Sequence, residues 1–212
     1  IFSCSQPTSG QTQFGDVALR VASILETEHY HREPFDDAMS AKVLDTYLEM
    51  LDFRRVYFTK QDIDSFNAKY RTNIDDQLKA EGIPAASEIF GVLLERVRTR
   101  VDYAKDILEN EEFTFDSDRT VRITRKDAPW PDSAEEERQI WYNLIEEELL
   151  RDYLTGEALR KKALAEGRTP EERKDPKEKI LERYQSYLDD LQENDAEDVA
   201  TLFIKAIARA YD

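Results

Sequence analysis

Glycine and proline are scarce, at six and seven in 212 residues. That scarcity argues against collagen, propellers and turn-rich all-β folds, which need glycine or proline at many turns. A single cysteine, Cys4, excludes an internal disulfide framework and any multi-cysteine zinc site. No run of eighteen apolar residues occurs, so no segment of this sequence reads as a membrane-spanning helix. Positive charge is in short supply. Thirty basic side chains face 46 acidic ones, a net charge of −16. Nonspecific nucleic-acid binding needs Lys and Arg to displace counterions, so no nucleic-acid partner is expected. The acidity favours solubility and a basic partner surface, although a charge-rich solvated helix face is the plainer reading.

What is present argues for a packed domain. Ten Phe, ten Tyr and two Trp are too many for a disordered acidic tail. The length suits one domain with a real core. Charged residues make up 36% of the chain, against roughly 25% in ordinary domains.

After a polar stretch over residues 1–13, read as a tether, the pattern turns helical from Phe14. Phe14, Val17, Ala18, Val21 and Leu25 fall at three- and four-residue steps. Pro34 closes this segment, and Asp36 is placed to cap the next, with Met39, Val43, Leu44, Tyr47, Leu48 and Leu51 as its stripe. Thr59 and Asp62 make a near capping box for a helix through about Leu78. Gly82 and Pro84 break it, and a long helix follows from about Ala85 to Glu109. Residues 111–125 alternate Phe113/Phe115 and Val121/Ile123 with polar residues, which predicts a small β-hairpin or extended excursion. Ser133 and Glu136 form a capping box before a helix carrying Trp141, Leu144, Ile145, Leu149 and Tyr153, which Gly156 is placed to interrupt. Residues 157–179 are highly charged and predict a mobile helical hairpin. Two amphipathic helices follow, the last capped by Asp195. The expectation is an all-α domain of about seven helices with one excursion near residues 111–131. Its core should include Phe14, Val21, Leu44, Leu48, Leu51, Leu93, Val97, Trp141, Ile145, Leu188, Leu202 and Phe203.

Catalysis needs a nucleophile with a base, a metal with ligands, or a phosphate cradle. No glycine-rich phosphate loop and no GxSxG elbow is present. His29 and His31 are two residues apart, so on a helix they point to different faces and cannot chelate one metal. An extended backbone would let them ligate together with Glu28 or Glu33, but a pair of imidazoles closing a helix is the plainer reading. Acidic pairs such as Asp36-Asp37, Asp75-Asp76 and Asp189-Asp190 arise by chance among so many acids, and solvated faces explain them. Catalytic, cofactor-binding and metal-ligating residues are therefore assigned to no position, and no cofactor is expected.

Ile1-Phe2-Ser3-Cys4 is different. It resembles the end of a bacterial lipoprotein signal peptide, with Cys4 as the lipidated residue and a polar tether behind it. Phe2 departs from the usual small or aliphatic residue, and a stray cysteine in a signal remnant is the alternative.

Three stretches together carry a family resemblance. The first is Leu25-Glu26-Thr27-Glu28-His29-Tyr30 followed by Leu44-Asp45-Thr46-Tyr47-Leu48-Glu49-Met50-Leu51-Asp52. The second is Phe58-Thr59-Lys60-Gln61-Asp62-Ile63. The third is Arg125-Lys126-Asp127-Ala128-Pro129-Trp130-Pro131, with Trp141 downstream. They resemble the helical N-terminal domain of tail-specific proteases, also called carboxy-terminal processing proteases, over most of residues 14–212. Ala128, Pro129, Trp130 and Pro131 are the most specific part. The resemblance implies an exported, periplasmic serine endopeptidase that cleaves proteins near their C-termini. In the family a serine–lysine dyad and a PDZ domain follow the helical domain, so no catalytic residue carries over to this chain. It further implies protein substrates, PDZ and protease domains on the same polypeptide, and an adaptor protein as a partner. Membrane association would come only through a lipid on Cys4. A free-standing, lipid-anchored helical binding module without protease activity is the competing reading.

Overall fold

The computed structural model describes residues 9–80, 82–115, 120–122 and 124–212. Cys4 and Ile123 lie outside them. Among the described residues are eight helices rather than about seven, and no strand. They are α1 (Ser9–Glu28), α2 (Asp37–Leu51), α3 (Lys60–Tyr70), α4 (Ile74–Ala80), α5 (Pro84–Asn110), α6 (Ala134–Ala165), α7 (Pro176–Glu193) and α8 (Ala196–Ala210).

The local start signals work as written in the sequence. The Asp36 carboxylate accepts the Ala38 and Met39 amides at 2.9 and 3.1 Å. Thr59 and Asp62 close a reciprocal capping box, and so do Asp195 and Asp198. At α6 the box is stretched. Ser133 accepts the Glu136 amide, but Glu136 reaches back one residue further, to the Asp132 amide.

The main core gathers α1 to α5 and α8, with α8 lying against both α1 and α2. Tyr47 and Phe203 meet edge to face at 5.1 Å in its centre, and the Tyr47 hydroxyl donates to the Ala86 carbonyl. A second cluster joins the outer half of α5 to α6 and α7 through Ala104, Ile107, Leu108, Trp141, Ile145 and Ile180. Of the expected core, Leu44, Leu48, Leu93, Val97, Trp141, Ile145, Leu188 and Phe203 are buried. Phe14, Val21, Leu51 and Leu202 are only half-buried.

The expected stripe of α1 is rotated. Val17 is 46% exposed, whereas Gly15, Ala18 and Ala22 face inward. The reason is close approach: a Cβ on Gly15 would sit 2.4 Å from the Gly82 Cα. Small residues line the side where another backbone comes near, and the larger apolar side chains are turned aside. The expected single helix from Thr59 to Leu78 is split at residues 71–73. The split redirects α4 across α2, where the buried Ser40 hydroxyl donates to the Asp75 carboxylate and accepts the Asp75 amide, both at 3.0 Å.

The expected β-hairpin near residues 111–131 is absent among the described residues. Phe113 and Phe115 find their partners on a helix instead. Phe113 stacks on Tyr142 at 5.4 Å and Phe115 on Tyr153 at 6.2 Å. Alternating aromatics bury their rings equally well on a neighbouring helix as on a neighbouring strand. Nor does Gly156 interrupt α6. The helix runs on to Ala165, turns at Gly167 (φ +69°), and returns through residues 168–175 to α7, which Asp175 caps. The charged stretch is thus the outer end of one long α6–α7 hairpin.

Candidate functional site

Asp52, Phe58, residues 128–131 and Trp141, all from the stretches that carry the family resemblance, converge in space. Asp52 closes α2 and is buried, with its carboxylate accepting the amides of Val56, Tyr57 and Phe58 at 3.0, 2.8 and 3.0 Å. Burial pushes this carboxyl up from its usual range, against the pull of the three amides. The ring they close curls the 52–58 connector tightly, and Arg55 takes a left-handed conformation (φ 52°).

That conformation aims Arg55 at the Ala-Pro-Trp-Pro segment. Its guanidinium donates to the Ala128 carbonyl at 2.7 Å and lies 5.3 Å over the Trp130 ring. The Lys60 amide donates to the Pro131 carbonyl at 2.8 Å. Trp130 meets Phe58 edge-on, and Ala128 and Pro131 are buried. Two prolines fix φ along this segment, which lowers the entropy lost when it docks. From the other side, Trp141 donates its indole N–H to the Val56 carbonyl at 2.8 Å. Tyr57, Tyr184 and Tyr187 complete the aromatic hub. A hollow of about 220 Å³ opens beside it, lined by Met50, Phe53, Tyr57, Trp141 and Tyr187.

The remaining candidate groups serve the packing. His29 and His31 lie just beyond α1 with ring centroids 5.8 Å apart. The His29 Nδ1 accepts the His31 amide, and its Nε2 is 3.7 Å from the Asp212 carboxylate. Glu33, weighed as a co-ligand, pairs with Lys42. Among the described residues no group of three or more His, Cys, Asp or Glu side chains is placed to hold a metal ion. Ser40, Asp75 and Lys79 form a chain of polar contacts, but Ser40 is fully buried and meets no solvent. Asp62 is partly buried. Desolvation raises its carboxyl, but bonds from Arg96 and Thr59 outweigh that and hold it below the usual carboxylate range.

A family model described as the tail specific protease N-terminal domain matches residues 21–212. The chain belongs to the tail-specific protease N-terminal domain family. A curated tail-specific protease from Haemophilus influenzae is 28% identical over 193 residues. The match covers 91% of this chain and 26% of that relative, so the chain spans about a quarter of the relative's length. In this member of the tail-specific protease N-terminal domain family, one hub joins the 52–58 connector, the Ala-Pro-Trp-Pro segment, α6 and α7.

Two contacts had no signal in the sequence. Arg100, buried in α5, pairs with Glu137 in the first turn of α6. On the outer hairpin, Arg173 reaches back across Gly156 to Asp152, donating to its carbonyl at 3.1 Å and to both carboxylate oxygens at 2.9 Å. A Cβ on Gly156 would lie 2.0 Å from that guanidinium. Both pairs join positions far apart in sequence, which no local period encodes.

Proposed function

We propose that this chain is the non-catalytic helical N-terminal module of an exported serine endopeptidase that cleaves proteins near their C-termini. The observation that carries the reading is the family match over residues 21–212, together with the quarter of the relative that the chain spans. The module scaffolds the protease and shapes access to it. Its protruding α6–α7 hairpin docks an adaptor or a substrate. Hydrolysis itself needs an activated nucleophile and oxyanion donors, supplied by a serine–lysine domain elsewhere on the polypeptide, beside a PDZ domain that holds the substrate tail. Export to the periplasm and acylation of Cys4 belong to the same reading.

The decisive experiment compares the purified 212-residue chain with the parent polypeptide on a protein substrate bearing an apolar C-terminal tail. The parent should cleave and the chain alone should not. Sustained cleavage by the chain alone refutes the non-catalytic role. A natural stop codon after Asp212 would favour the free-standing binding module instead. The intact mass of the native protein reports acylation, and an unmodified Cys4 thiol excludes it.

A further inference from the structure

We propose that the cleft between the outer half of α6 and the 168–175 connector docks an acidic peptide segment bearing an apolar anchor side chain. The cleft encloses about 620 Å³, a size suited to a few peptide side chains. Tyr153, Leu159, Ala163 and Pro170 give it apolar walls. Leu159 lines the cleft and is 54% exposed. The floor is built rather than loose: Gly156 admits the Arg173 guanidinium, and Asp152 holds it from three oxygens.

Charge selects the occupant. Of the cations lining the cleft, Arg173 is held by Asp152, Lys174 by Glu182 and Arg168 by Glu166. Arg160 and Lys162 have no acidic partner within 4.0 Å among the described residues, although Glu157, Glu171 and Asp175 also line the cleft. Residues 157–168 carry four basic and two acidic side chains, in a chain of net charge −16. An acidic segment is therefore repelled by the body and drawn to this end of the hairpin, where an apolar side chain finds a wall to cover. A concavity favours a peptide over a flat bilayer. The proposal deepens the reading of the hairpin as a docking element and rests on it for its biological meaning, but the binding is measurable on the chain alone.

The test is fluorescence anisotropy of a labelled peptide in which Asp and Glu flank one leucine, with the 212-residue chain as receptor. Saturable binding that weakens with added salt is expected. Arg160→Glu with Lys162→Glu should weaken it roughly tenfold or more, and Leu159→Asp similarly. Lys205→Glu on α8 should leave it unchanged, and circular dichroism should show all variants equally helical. Equal binding of a peptide with Lys in place of its acids overturns the proposal, as does full binding by the double variant. Capture of anionic phosphatidylglycerol vesicles with no peptide binding overturns it in favour of a lipid surface. None of these outcomes touches the cleavage comparison with the parent, so failure of the cleft and failure of the module reading are separable.

Discussion

Helix α5 and the outer half of α6 are both long and regular, yet they are held by different forces. Helix α5 buries a stripe from Ala85 to Leu108 against four other helices. Helix α6 buries Ile140, Trp141, Leu144, Ile145 and Leu149, then runs on to Ala165 without burying another side chain. Leu154, Leu159 and Leu164 are all more than half exposed. The outer helix rests on its own propensity and on ion pairs, among them Glu147 with Arg151 and Asp152 with both Arg173 and Lys179. Pairs like these, with the basic partner about a third exposed or more, contribute modestly each, whereas a buried stripe supplies most of a helix's stability. The contrast teaches that the hairpin's outer end is expendable for folding and available for contact.

The largest effects should therefore come from the body. Phe203→Ala removes a fully buried ring and should cost about 3–5 kcal/mol, while Leu159→Ala should change stability by no more than about 0.5 kcal/mol. Urea unfolding of both variants checks this, and similar losses would show that the outer hairpin is as essential to folding as the core. Next, Asp52→Ala strips three amides of their acceptor in a buried connector and should cost about 3 kcal/mol. A small loss would mean that water replaces the carboxylate and that the hub is less closed than the packing implies.

Asp62 sharpens the contrast through pH. Its folded carboxyl lies below the ordinary value. The stability it contributes is complete above the unfolded aspartate value of about 3.9 and is lost as pH falls through the depressed folded value. Asp62→Ala should cost about 2 kcal/mol at neutral pH through the lost cap and the partly exposed Arg96 pair. The gap from the parent chain should shrink in acid. A gap that stays constant down to strongly acidic pH would contradict the ion-pair account. The smallest effect belongs to Gly156→Ala. Alanine favours the helix by about 1 kcal/mol, but its methyl displaces the Arg173 guanidinium. Overall stability should barely move, while amide protection over residues 168–175 falls. Unchanged protection there would show that Arg173 does not hold the connector.

Much of this was legible in the residues. The caps at Asp36, Thr59 and Asp195 were readable because each acceptor lies two or three residues from its donor. The stripes of α2, α5 and α8 were readable because packing on one side imposes a single period. The register of α1 was not, since the inward face is set by Gly82 and α8, which are remote in sequence and demand small residues there. Phe113 and Phe115 alternate like a strand because alternation reports only that two rings share a side, not what lies on that side. The hub was legible in part: its residues stand out as motifs, but nothing local says that Asp52, Trp130 and Trp141 meet.

Helix content, most helix starts and the family follow from the residue order alone, because they depend on short-range chemistry or on matched residues along the chain. Where α3 gives way to α4, which face of α1 is inside, and that α6 continues past Gly156 emerge only from the folded packing. It also brought Arg55 onto Ala128 and Trp130, and Arg173 onto Asp152. Each of these depends on a partner far along the chain, and a backbone chooses such partners only when it closes on itself.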